Sequence, residues 1–171
     1  MHDSGIVRRI DDLGRVVIPK GIRKRLRIKN GDNLEISFTD DSIVIKKYDQ
    51  VGKFKDIYTG IIDAFYRILG KDILLTNGDT YIYGMGKISG GVVNKEFSEE
   101  INNLIENRCE DLVGGEFFLT SDVKFSGQLF VNPLVVQGDI AGAVVLADES
   151  ISEADMTTIR GISTFICEYI E

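Results

Sequence analysis

Nine lysines and arginines fall between residues 5 and 29: Arg8, Arg9, Arg15, Lys20, Arg23, Lys24, Arg25, Arg27 and Lys29, against only Asp11 and Asp12. The whole chain carries a net charge of −7, so this segment reverses the sign locally. Guanidinium and ammonium groups at such density suit a polyanion, because each phosphate they neutralise releases condensed counterions and so drives association. A surface that served solubility alone would intersperse both signs. Residues 1–50 hold 11 basic and 8 acidic side chains, whereas residues 51–171 hold 9 and 19. The two halves therefore face different partners, and double-stranded DNA is the natural one for the first.

Other chemistry is poorly supplied. His2 is the only histidine and lies beside a terminus expected to fray, which excludes histidine-based nucleophile triads and the common histidine zinc sites. Cys109 and Cys167 are far apart with no CxxC neighbour, so two buried thiols are expected rather than a disulfide or a metal site. The carboxylates form no spacing that marks a catalytic pair. The glycine-rich run Gly84-Met-Gly86-Lys-Ile-Ser-Gly90-Gly91 fails both phosphate-binding patterns: GxGxxG needs glycine at Ser89, and a P-loop needs glycine at Tyr81 and Ser or Thr at Ile88. A mobile or tightly turning loop is expected there. No enzyme, cofactor or metal follows from these residues.

The basic residues need elements to position them. Residues 5–10 and 15–18 read as β-branched strands around the turn Asp11-Asp12-Leu13-Gly14, a hairpin with Arg8 and Arg15 on opposite arms near its turn. Pro19 stops the second arm and suits the first turn of a short helix. In that helix Ile22 and Leu26 share one face and leave Arg23, Lys24 and Arg27 around the rest, with Asn30-Gly31-Asp32 expected to end it. Leu34, Ile36 and Phe38 then alternate with polar residues, Asp40-Asp41 breaks the run, and Ile43-Val44-Ile45 follows, which gives a second hairpin. This ββ-helix-ββ unit of about 48 residues is too small to bury a sufficient core alone, and dimerisation is the expected remedy.

The run GIVRRIDDLGRVVIPKGIRKRLRIKNGDNLEI with the hairpin ending IVIKKY resembles the DNA-binding domain of the AbrB family of bacterial transition-state regulators. The resemblance spans residues 5–48, and DDLGRVVIPK is its most specific part. It implies a swapped-hairpin β-barrel formed by two intertwined chains. It also implies DNA contacts from Arg8, Arg15, Arg23 and Lys24, supported by Arg9 and Lys20. Gly21 departs from the family, which usually carries a helix former there; glycine inside a helix costs about 0.5–1 kcal/mol relative to alanine, so this helix is expected to be less ordered before DNA binds.

In the second half, Phe54, Ile57, Ile61, Phe65 and Ile68 recur at intervals of three and four over residues 51–69, an amphipathic helix closed by Gly70. Ile159, Ile162, Ile166 and Tyr169 repeat the pattern at the far end, after a capping-box-like start at Ser152 and Asp155. Between them strands are expected at 73–76, 80–83, 117–120, 129–136 and 140–146, with a helix near 98–108 and a long hairpin around Gly138-Asp139 buried on both faces. This helix-bracketed antiparallel sheet resembles a GAF domain. Tyr81, Tyr83, Phe117 and Phe130 are candidates to line a ligand pocket, although strand aromatics are more often core; no ligand can be named.

The expectation is thus an α+β chain with an AbrB-type DNA-binding domain at 1–50 and a GAF-like regulatory and oligomerisation domain at 51–171, joined near residues 48–52. The fusion is similar to a family of transcriptional regulators in spore-forming bacteria. That likeness implies a homotetramer in which N-terminal dimers are joined through the flanking helices, with Phe54, Ile57, Ile61, Phe65, Ile159, Ile162, Ile166 and Tyr169 as interface candidates. An antitoxin-like DNA- and protein-binding module is the alternative; its usual disordered tail conflicts with the capped helices and strands of residues 51–171. With no signal-peptide core and no apolar run near the roughly 18 residues of a membrane span, the expected place is the cytoplasm, with the nucleoid.

Overall fold

The computed structural model describes residues 5–170; His2 lies outside the described residues. Contacts divide the chain into two compact units that meet between Tyr48 and Asp49.

In the first unit, β1 (Leu34–Thr39) and β2 (Ser42–Lys47) pair antiparallel with Thr39 opposite Ser42, so Asp40-Asp41 forms the turn that the sequence places there. Leu34, Ile36 and Phe38 lie opposite Lys47, Ile45 and Ile43, and strand alternation gives this hairpin one largely apolar face. The first hairpin differs from expectation. Its turn closes, with the Gly14 N–H donating to the Asp11 carbonyl at 2.9 Å, the Asp11 N–H donating to the Arg15 carbonyl at 3.1 Å, and Gly14 at φ +76°. Its arms form no ladder. Ile6, Val7, Ile10, Val16 and Val17 are all exposed, and a two-stranded ribbon with no covered face does not hold itself together in water.

Helix α1 (Lys20–Arg25) follows Pro19, whose carbonyl accepts the Arg23 N–H. It stops well before Asn30-Gly31-Asp32. Arg27 takes a left-handed φ of +54°, its N–H donates to the Lys24 carbonyl, and the Ile28 N–H reaches back to the Arg23 carbonyl. That pair of bonds is a Schellman cap with arginine where glycine is usual. Of the expected apolar pair, Ile22 is half-buried and Leu26 is exposed.

The second unit is a five-stranded antiparallel sheet in the order β4-β3-β7-β6-β5. Its strands are β3 (Asp72–Thr76), β4 (Tyr81–Met85), β5 (Asp111–Phe118), β6 (Lys124–Val136) and β7 (Asp139–Asp148). The expected 117–120 strand thus ends at Phe118 and begins six residues earlier. Gln137 and Gly138 both have positive φ and make the tight turn between β6 and β7, as a two-residue hairpin of this hand requires. Central β7 is covered on both faces: Val144 and Leu146 join one apolar cluster, Ala143, Val145 and Ala147 the other.

The first face is covered by α2 (Gln50–Lys53), α3 (Lys55–Leu69) and α6 (Glu153–Ile170); the second by α4 (Ser89–Val92) and α5 (Glu99–Glu106). One helix is expected over 51–69, but two form. The Asp49 carboxylate accepts the Gly52 N–H at 2.7 Å and caps α2, and the chain breaks at Phe54 before α3 starts. Gly70 ends α3 at φ +66°, and Ser98 caps α5 through the Ile101 N–H. At α6 the reciprocal box forms: Asp155 accepts from the Ser152 N–H and hydroxyl, and Ser152 Oγ accepts the Asp155 N–H. Lys71 adds a 2.7 Å ion pair to Asp155 and one of 3.3 Å to Asp148.

The glycine-rich run leaves the end of β4, passes through a pinned turn at residues 86–88 and enters α4. Asp72 accepts the Lys87 and Ile88 N–H groups at 2.6 and 3.1 Å, and Gly86 sits at φ +119°, where a Cβ would fall 1.6 Å from the Asp72 carboxylate.

Candidate nucleic-acid interface

The basic side chains occupy the first turn, the helix α1 and the stretches beside them. Arg8, Arg9, Lys20 and Lys24 are exposed, and among the described residues none engages a carboxylate. Arg23 is half-buried; its Nη1 donates weakly to Asn30 at 3.4 Å and its Nε is buried without a partner. Arg25 and Arg27, which the sequence reading left out of the candidate set, are exposed at the C-terminal end of α1. Their position there complements the partial negative charge of the helix end.

Arg15 is held differently. Its Nε donates to Asp11 Oδ2 at 2.7 Å, while Asp11 Oδ1 accepts the backbone N–H groups of Leu13 at 3.0 Å and Arg15 at 2.8 Å. Hydrogen bonds from the Arg15 backbone and guanidinium hold the Asp11 carboxyl below its ordinary value, so it stays ionised as a partner. From its place in the sequence Asp11 is a turn residue, and its hold on Arg15 is an addition to that. The signal that could have shown more was an aspartate four residues before an arginine across a glycine turn.

No residue from 5 to 48 is fully buried. Apolar side chains from every segment of this unit, among them Val7, Leu13, Val17, Leu26, Ile36, Phe38 and Ile43, stand largely in water within the single chain.

In the second unit the interface candidates separate. Ile159, Ile162 and Ile166 are buried in the cluster against the sheet, with Ile162 at 1% exposure. Within the single chain the sheet of their own unit covers that helical stripe and leaves these three isoleucines little exposed surface. Phe54, Ile61 and Phe65 pack partly on that same cluster, while Ile57 on α3 remains exposed. Tyr169 is exposed at 45%, stacks on Phe165 at 6.0 Å and meets Phe54 edge-on at 5.3 Å. Phe165, absent from the candidate set, is exposed at 44%.

The four candidate pocket aromatics do not converge. Tyr81 and Phe117 belong to one face of the sheet, Phe130 and Tyr83 to the other. Tyr81 donates its hydroxyl to the Leu119 carbonyl and Tyr83 to Asp63; the latter bond, with burial, pushes the Tyr83 phenol up to about 12. Cys167 is half-buried and Cys109 is exposed in the loop after α5, so the expectation of two buried thiols fails at Cys109. Among the described residues no group of three His, Cys, Asp or Glu side chains could hold a metal ion, and no helix is long and apolar enough to cross a membrane.

Residues 51–168 match the family described as stage V sporulation protein T C-terminal, transcription factor, and residues 7–53 match antidote-toxin recognition MazE, bacterial antitoxin. The chain is 36% identical to stage V sporulation protein T of Bacillus subtilis (strain 168), over 100% of this chain and 99% of that one. It is 33% identical to the transition state regulatory protein AbrB of the same organism, over 66% of this chain and 97% of that one. Among solved structures it is similar to a GAF domain/HD domain protein from Geobacter sulfurreducens, with a TM-score of 0.51, 13% identity and coverage of 70% of this chain and 91% of that one. That likeness shows the GAF-like fold of the second unit.

Proposed function

The chain belongs to the stage V sporulation protein T family, and on that premise we propose that it is a sporulation transcriptional regulator that binds double-stranded DNA through its first unit. Arg8, Arg15, Arg23 and Lys24 make the contacts, with Arg9 and Lys20 in support. The observation that carries this reading is the charge of residues 5–29, nine basic groups against two acidic ones, on a turn and a helix whose cations are mostly exposed.

The absence of any buried residue in residues 5–48 supports dimerisation through this unit, in the intertwined arrangement that AbrB-type hairpins imply. Exposed Ile57, Phe165 and Tyr169 beside half-buried Phe54, Ile61 and Phe65 support a second contact that joins dimers into a tetramer. The second unit then serves assembly and regulation, and its role is non-enzymatic. The match to an antitoxin family ends at residue 53, and the rest of the chain is a packed sheet with helices, so a toxin-wrapping tail has no place in this reading.

DNA binding to fragments selected from the genome tests it. If a dimer neutralises about four to eight phosphates, the slope of log affinity against log salt is about −4 to −7, from roughly −0.9 per phosphate. Arg23→Ala lowers that slope and weakens binding while the fold survives; a slope near zero, or no effect of Arg23→Ala at moderate salt, refutes the assignment.

A further inference from the structure

We propose that Asp11 is a positioning residue which aims Arg15 at the edge of a guanine, so that Arg15 reads a base while the other cations of this unit hold phosphates. The inference rests on the DNA-binding reading above. A phosphate offers its oxygens to a guanidinium fork over a range of approach directions, so an arginine that serves only as a phosphate contact gains little from being fixed in one orientation. Reading guanine does need orientation, because two parallel N–H donors must meet O6 and N7 in the major groove.

Arg15 has that orientation before any DNA is present. Asp11 Oδ2 takes its Nε–H at 2.7 Å, and Oδ1 is fixed by the Leu13 and Arg15 N–H groups at 3.0 and 2.8 Å. The carboxylate is therefore locked to the turn, and the turn is itself closed by the Asp11 carbonyl and by Gly14 in a left-handed conformation. With Nε occupied, Nη1 and Nη2 keep their donors, and neither has a partner among the described residues. The Arg15 side chain is 72% exposed, so this fork is presented to solvent. Arg8, Arg9, Lys20 and Lys24 have no such support.

The presence of Asp11 also argues against a purely electrostatic role. A carboxylate within the most basic segment repels phosphates, and generic charge reasoning expects its removal to tighten binding. A buttress predicts the opposite sign at a specific site.

The test uses the full chain, a selected specific duplex and a random duplex of equal length, read by fluorescence anisotropy. Asp11→Asn preserves an oxygen to accept the Leu13 and Arg15 amides but removes the charge that holds Nε. The expected result is binding about tenfold weaker at the specific site, the size of a partly lost bidentate base contact, with random-duplex binding unchanged or tighter. Asp11→Asn in an Arg15→Ala background adds no further loss. Replacing the contacted guanine by 7-deazaguanine, which lacks the N7 acceptor, weakens the wild-type protein about tenfold and leaves Arg15→Ala unaffected. In the free protein, the Arg15 Nε–H resonance is protected from exchange and loses that protection in Asp11→Asn, while the Leu13 amide is unmoved.

Unchanged or tighter specific binding by Asp11→Asn, with Arg15→Ala still weakening it, overturns the positioning role and leaves the DNA-binding reading intact. A wild-type protein indifferent to 7-deazaguanine at every guanine, or a penalty that persists in Arg15→Ala, overturns base reading by Arg15 whatever Asp11→Asn does to the fold. A neutral Arg15→Ala overturns both this inference and the assignment of Arg15 to the interface.

Discussion

Replacing Ile36 by alanine should separate a first unit that needs a second copy from one that stands alone. Ile36 sits between Leu34 and Phe38 on the apolar face of the β1–β2 hairpin and opposite Ile45. It is 70% exposed in the single chain, with Phe38 at 89% and Ile43 at 75%. Within one chain the substitution removes little that is buried, so a monomeric unit would change by about 0.5 kcal/mol or less. If the hairpins of two copies cover one another, Ile36 is instead a core residue, and truncating a buried isoleucine to alanine costs about 2–5 kcal/mol. Two-fold symmetry removes the contact twice, so the dimer loses at least about 4 kcal/mol, roughly a thousandfold in dissociation constant. Residues 1–50, unfolded in urea at several protein concentrations and followed by circular dichroism, give the readout. The wild-type midpoint should rise with concentration, as mass action requires when folding and association are one step, and Ile36→Ala should lower it at every concentration. A folded monomer by light scattering, or an unchanged midpoint in the variant, would refute the reasoning, because the exposed apolar face would then need no cover.

Ile162→Ala should destabilise the second unit by about 2–5 kcal/mol in thermal or urea unfolding, since its side chain is buried against the sheet. Phe165→Ser, on the exposed side of the same helix, should leave that unfolding nearly unchanged and lower the oligomeric state in sedimentation. Asp155→Asn should cost about 2 kcal/mol at neutral pH, the size of a hydrogen bond to a charged partner, because Lys71 and Ser152 bind the carboxylate. Burial opposes ionisation of Asp155, but those partners outweigh it and hold its carboxyl below the ordinary 3.8. Its contribution is therefore present above about pH 4 and lost as pH falls through the lowered value, and acid unfolding of the Asn variant should lack that step. Gly21→Ala should raise the midpoint of the first unit by the equivalent of about 0.5 kcal/mol, because a Cβ there meets nothing within 4 Å.

Local order was legible in the sequence, and the reason is that its causes are local. The turn at Asp40-Asp41, the Gly70 stop and the Ser152–Asp155 box each depend on residues within a few positions of one another, and all stand where the pattern put them. The breaks that the pattern does not signal have remote or unusual causes. Arg27 ends α1 in a conformation normally left to glycine, and Asp49 caps a separate α2 by bonding the amide of Gly52. Neither arginine nor a lone aspartate carries a strong stop signal.

Hydrophobic periodicity states that a face is covered but not by what, and the two units answer that question in opposite ways. On α6 the stripe Ile159, Ile162, Ile166 looked like an oligomer seam, yet the sheet beneath it takes all three, and the aromatic pair Phe165 and Tyr169 on another side of the helix is what remains outside. On β1 and β2 the alternation was equally clear, and there the chain half-buries Leu34 and Ile45 but leaves Ile36, Phe38 and Ile43 largely in water. The difference is one of supply. A second unit with five strands and several helices has enough surface to bury its own stripes, whereas a unit of about 48 residues lacks the surface to do so. The same shortage explains why the first turn forms without its strands: the Asp11–Gly14–Arg15 bonds are internal to the turn, but the arms need a partner. If that partner is a second copy, the residue that reads DNA is organised by its own turn, and dimerisation sets only the spacing between two such turns. Asp11→Asn and Ile36→Ala should then act independently: the first changes discrimination between specific and random DNA without altering the dimer, and the second weakens both equally as the dimer dissociates.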